Sequence, residues 1–159
     1  MKTRLWFLGI LVILAASGIV SAQRVAGVWK LDEMTSSGTG ASTKTISQPS
    51  MYLFTKTHYS IIYVSSESPR ATDDASTMTA DQLRDVFVQS FVANAGTYEA
   101  KDGKITLKPT VAKSPNFMKP GNWNTFKISM KGNSMTLVTD SNNEGPSKYP
   151  TTFKLTRVE

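Results

Sequence analysis

Gly27-Val28-Trp29-Lys30-Leu31-Asp32-Glu33-Met34 is the stretch on which the fold turns: Val28, Lys30 and Asp32 alternate with Trp29, Leu31 and Glu33. Period two over this length is the pattern of a half-buried β-strand. The same pattern closes the chain, where Phe153, Leu155 and Arg157 alternate with Thr152, Lys154 and Thr156 over 151–158. Between these ends, 51–55 is apolar on both faces, and 58–64 puts Tyr59, Ile61 and Tyr63 on one side. Further strands are expected over 97–100, over 104–110 with Ile105 and Leu107 together, over 125–131 with Phe126, Ile128 and Met130 together, and over 135–139. Asp102-Gly103 and Gly132-Asn133 are two-residue hairpin signals. The count of about eight strands predicts an all-β chain with one α-helix, its antiparallel sheet closed into a small barrel able to hold one ligand.

The helix falls between the third and fourth strands. Thr79 can cap it, with Gln82 at the reciprocal position of a capping box. Leu83, Val86, Phe87 and Phe91 make one apolar face, Asp81, Arg84, Asp85 and Gln89 take the wet side, and Asn94 and Gly96 supply a stop. Such a face predicts packing over a barrel end or flank. Its polar side is not cationic, which argues against a membrane-surface helix. Three polar stretches, 35–45, 65–78 and 112–124, are expected to be loops around one mouth of the barrel.

Before the first strand, residues 1–22 have the make-up of a cleavable signal peptide. Lys2 and Arg4 precede an uncharged, mostly apolar run from Leu5 to Val20, and Val20-Ser21-Ala22 offers small residues before a cut ahead of Gln23. The run is slightly short for a spanning helix, so no integral membrane span is expected after cleavage. Subtracting 22 residues from 159 leaves 137, one domain's worth, over 23–159. The cut also removes two cations, so a net charge of +6 becomes +4. That surplus is scattered, without the clustered basic stripe and interleaved aromatics of a nucleic-acid binder. The chain has no Cys, which excludes disulfides and a Cys-linked lipid anchor. The expected location is secreted or periplasmic.

The residues at the two ends carry a resemblance. A Gly-x-Trp on the first strand, Gly27-Val28-Trp29, and an inward Arg on the last, Arg157, resemble the signature of lipocalin-like β-barrels. With Phe54-Thr55-Lys56-Thr57-His58-Tyr59-Ser60, Gly96-Thr97-Tyr98-Glu99 and the terminal Lys154–Glu159, the chain is similar to bacterial lipocalin-like domain proteins. The resemblance implies that Trp29 sits at the closed end of the barrel with Arg157 packed over it. A guanidinium on an indole face would satisfy the inward charge. Two features depart from the pattern. Lys56-Thr57 lacks the Gly such a turn prefers, and the helix precedes the fourth strand, whereas secreted lipocalins carry theirs near the C-terminus.

Other motifs are weaker. Gly38–Thr45 nearly spells a phosphate-binding loop, but Thr43 takes a Gly position and no helix pattern follows. Asp140, Asn142, Glu144 and Gly145 mimic the start of a calcium loop, yet Thr151 stands where a bidentate Glu is expected. His58 is the only His, so neither a zinc site nor a catalytic triad has a second imidazole to draw on. No metal, cofactor or catalytic residue is assigned. The strand aromatics Tyr52, Phe54, Tyr59, Tyr63, Tyr98 and Phe126 are the candidate ligand contacts, since a Tyr ring is apolar with a polar tip.

The expectation is therefore a barrel that binds a small apolar or amphipathic ligand, with Tyr hydroxyls and Arg157 or a loop Lys fixing a polar group. One alternative is an isomerase or cyclase on the same barrel acting on a lipid-like substrate, which would need His58 or Glu99 to point inward. The other is a non-catalytic interaction scaffold with a solid core.

Overall fold

A computed structural model describes residues 22–70 and 73–159. The signal-peptide reading of residues 1–22 lies outside the described residues but for Ala22, the first residue of a short helix, α1 (Ala22–Val25). Among the described residues no helix is long and apolar enough to cross a membrane.

Ten strands follow: β1 (Gly27–Ser36), β2 (Ser42–Thr45), β3 (Ser50–Phe54), β4 (His58–Val64), β5 (Phe91–Lys101), β6 (Lys104–Ala112), β7 (Asn124–Lys131), β8 (Ser134–Asn142), β9 (Gly145–Pro146) and β10 (Thr151–Arg157). Eight of them run in the order β10-β1-β3-β4-β5-β6-β7-β8, every pair antiparallel, and β8 pairs back to β10. The result is a closed up-and-down barrel, so every strand of the wall has both edges paired. β2 and β9 are short additions alongside β1 and β8.

The alternation of each strand sends its apolar residues inward. Trp29, Leu31, Tyr52, Phe54, Ile105, Leu107, Met135, Leu137 and Leu155 are all buried in one core. A bulge between Leu31 and Glu33 shifts the phase in β1. Met34 then packs against the core, and Glu33 turns outward to an ion pair with Lys154 at 2.6 Å.

The two ends of the barrel differ. At one end the strands are joined by two-residue turns. At Asp102-Gly103 both residues have positive φ (52° and 71°), as a type I′ turn requires. Gly132 has φ 56°. Lys56-Thr57 turns without glycine because the Thr55 hydroxyl accepts from the His58 backbone N–H at 3.0 Å. Tyr98 braces the same turn, its backbone N–H donating to the Thr57 carbonyl and its hydroxyl to the Thr55 carbonyl. At the other end lie the longer connections, whose described residues are 65–70 with 73–90, 113–123 and 143–150.

Three sequence expectations are corrected here. The stretch 35–45 is not a loop: β2 pairs Glu33–Ser36 of β1 as a hairpin ribbon. Hydroxyl pairs Thr35–Thr43 and Ser36–Ser42, each at 3.1 Å, knit it together without apolar side chains. The helix, α2 (Ala80–Leu83), does begin with the Thr79/Gln82 capping box. It then continues as a π-helical turn over Arg84–Gln89 and stops at Ser90, whose hydroxyl donates to the Asp85 carbonyl at 2.7 Å. Asn94 and Gly96 are therefore not its stop. Phe91–Gly96 already belongs to β5, because it pairs with β4 from Val64↔Phe91 onward. In the third case, 112–124 contains a 3-10 turn, Pro115–Met118.

Candidate functional site

The narrow end is built on Trp29, which is fully buried. Its indole N–H donates to the Val25 carbonyl at 2.9 Å. The Arg157 guanidinium lies 4.1 Å from the centre of the Trp29 ring and donates at 2.7 Å to the carbonyls of both Ala26 and Arg24. One cation thus ties the last strand to the segment before the first. Gly27 has φ +138°, and a Cβ there would collide with the Arg157 guanidinium and the Glu159 carbonyl. Only glycine lets these groups meet.

Just inside this cap, Phe54 packs edge-on against Tyr98, ring centres 5.3 Å apart. Neither borders the remaining space in the barrel. That space is a cavity of about 230 Å³ nearer the other end. Tyr52 and Tyr63 stack on one wall at 5.9 Å, and Phe126 meets Phe153 edge-on at 6.1 Å. Ile61, Leu107 and Leu137 supply aliphatic surface, and Phe117 reaches in from the 3-10 turn. Among the described residues, the lining residues with polar side chains besides the two stacked tyrosines are Asn94, Asn124, Thr139 and Tyr59, the last bordering the space with its ring.

The sequence candidates therefore divide. Tyr52, Tyr59, Tyr63 and Phe126 come together around the cavity, whereas Phe54 and Tyr98 lie in the core of the narrow end. Arg157 is committed to Trp29 and backbone carbonyls, and among the described residues no Lys borders the cavity, so neither lies where the expected polar anchor would sit. Asn94, Asn124 and Thr139 were not among the candidates. Extending β5 back to Phe91 would have found Asn94, a polar residue at an inward position.

Burial shapes the acid–base character of the site. It pushes the Tyr63 phenol up to about 12. It also raises Tyr52, where Tyr63 adds to the effect, and Tyr59. These phenols stay protonated at neutral pH. The residues an enzyme reading would use lie elsewhere. His58 is exposed and hydrogen-bonded to the Thr57 hydroxyl at 2.9 Å, and Glu99 is exposed in an ion pair with Lys108 at 2.7 Å. The calcium-like stretch is occupied internally: Asp140 pairs with Lys104 and Lys127, and the Asn142 side chain accepts from the Glu144 backbone. Among the described residues no three His, Cys, Asp or Glu are grouped to hold a metal.

The closed topology is that of an eight-stranded antiparallel up-and-down barrel, an architecture that lipocalins share. Among solved structures, the chain is similar to a lipocalin-like protein from Bacteroides uniformis ATCC 8492, at 17% identity over 83% of this chain and 96% of that one, with a TM-score of 0.44. No protein-family model matches the chain, and no curated protein matches it.

Proposed function

We propose that the protein is exported through cleavage of residues 1–22, acts in the periplasm or outside the cell, and carries a small apolar or amphipathic molecule inside the barrel. The observation that carries the binding reading is the space of about 230 Å³, open at the rim, between the aromatic walls of the barrel. Packed domains keep few spaces larger than a water molecule. The composition of the leader carries the export reading. Binding works by removing ligand carbon from water against Tyr52, Tyr63 and Phe126, with phenol and amide groups meeting its polar atoms. The Trp29–Arg157 latch seals the far end, so a ligand passes by the long connections near Phe117.

Native mass spectrometry on the protein purified from the expression host, followed by solvent extraction, tests this. A small molecule released by the solvent supports it. A bare polypeptide mass that no apolar small molecule shifts or stabilises counts against it.

A further inference from the structure

The cavity narrows its occupant in three independent ways. The first is size. An apolar cavity of about 150 Å³ accepts benzene, so about 230 Å³, open at the rim, suits roughly nine heavy atoms held between the walls. The second is charge. Among the described residues, no Lys, Arg, His, Asp or Glu borders the cavity. An ionised ligand group would lose its water there and meet no counter-charge. The third is Tyr59. It is 3% exposed and its ring borders the void, yet its hydroxyl has no hydrogen-bond partner among the described residues. Its ladder neighbours explain why, since Tyr59 lies between Phe54 on β3 and Gly96 on β5, and neither has a polar side chain. Buried hydroxyls are seldom left unpaired in folded proteins.

We infer that the barrel selects an uncharged molecule about the size of one substituted ring, carrying an oxygen that accepts a hydrogen bond from Tyr59. This rests on the cavity-binding reading above and sharpens it. The hydroxyl itself has almost no accessible surface, so the bond requires the Tyr59 side chain to turn toward the cavity. A carboxylate seated between these walls falls outside the class.

Calorimetry with three related probes tests the inference on the purified protein: ethylbenzene, acetophenone and benzoate. Tyr59→Phe lowers acetophenone affinity five- to tenfold, the worth of one hydrogen bond, and leaves ethylbenzene as tight or tighter. Benzoate binds at least tenfold more weakly than acetophenone. The free variant melts higher, because an unpaired buried hydroxyl is gone. Tyr59→Phe weakening both neutral probes alike, or neither, overturns the role of Tyr59. Benzoate binding as well as acetophenone overturns the selection against charge. Failure of both neutral probes to bind wild-type protein overturns the cavity reading itself. Should the variant not fold, the carbonyl stretch of acetophenone on wild-type protein decides. A shift to lower frequency than in hydrocarbon solvent supports the bond, and an unshifted band overturns it.

Discussion

Arg157→Ala removes the group that latches the barrel's narrow end, and its cost can be worked from the contacts. The guanidinium sits 4.1 Å from the Trp29 ring centre, a cation–π contact worth about 0.5–2 kcal/mol and near the upper end because the indole is fully buried. It also makes two 2.7 Å bonds, to the Arg24 and Ala26 carbonyls. Charged hydrogen bonds contribute about 1.5–3 kcal/mol when buried. This guanidinium is half-buried, so roughly 1 kcal/mol each is the fairer figure. The total is about 3–4 kcal/mol, before any loosening of the segment around fully buried Val25. In a domain of this size that lowers the melting temperature by roughly 10–15 °C. Urea unfolding followed by far-UV circular dichroism measures it, with an unchanged slope showing that the same cooperative unit unfolds. Arg157→Lys keeps the charge but not the fork that reaches two carbonyls at once, and recovers about half the loss. An Arg157→Ala protein within about 0.5 kcal/mol of wild type would refute the latch, and so would full rescue by lysine.

Other outcomes follow from the same structure. Gly96 sits at the β5 bulge, where a Cβ would collide with the Lys108 carbonyl and lie 2.8 Å from the Pro109 Cα. Gly96→Ala should cost more than about 3 kcal/mol in urea unfolding, whereas Gly121→Ala, with φ +75° but open space around it, should cost about 1–2 kcal/mol. Alkaline stability should fall in a defined window. Burial raises the folded Tyr63 phenol to about 12, against about 10 in the unfolded chain. The unfolded state therefore gives up its protons first, so stability is intact below about pH 10 and is lost between about pH 10 and 12. Tyrosinate absorbance should rise together with loss of the far-UV signal, and ionisation of the buried tyrosines near pH 10 in a still-folded barrel would contradict it.

Much of this architecture is legible in the residues, for physical reasons. The strands whose alternation is strict, such as Phe126-Ile128-Met130 and Phe153-Leu155, have one face in the core and one in water. The turns at Asp102-Gly103 and Gly132-Asn133 are local chemistry, as is the Thr79/Gln82 box. What escaped depends on partners distant in sequence. β2 has no apolar face to betray it and exists because β1 continues past the barrel rim. Phe91 falls on helical spacing with Val86 and Phe87, but β4 pairing takes it into a strand, while Arg70 stacks over both Phe87 and Phe91 at about 5 Å. The division of the six aromatics had the same cause. Tyr52 and Phe54 share a strand face, and only depth along the barrel axis separates a cavity wall from a packed floor.

The central claim is a ligand-sized void between the stacked tyrosines and the Phe126–Phe153 pair. The most direct test is a crystal of the protein soaked with bromobenzene and measured for bromine anomalous scattering. A bromine peak is expected inside the barrel, in contact with Tyr52, Tyr63 and Phe126. An interior filled by side chains, with bromine only on the exposed outer patch at Ile62 and Val111, would contradict it.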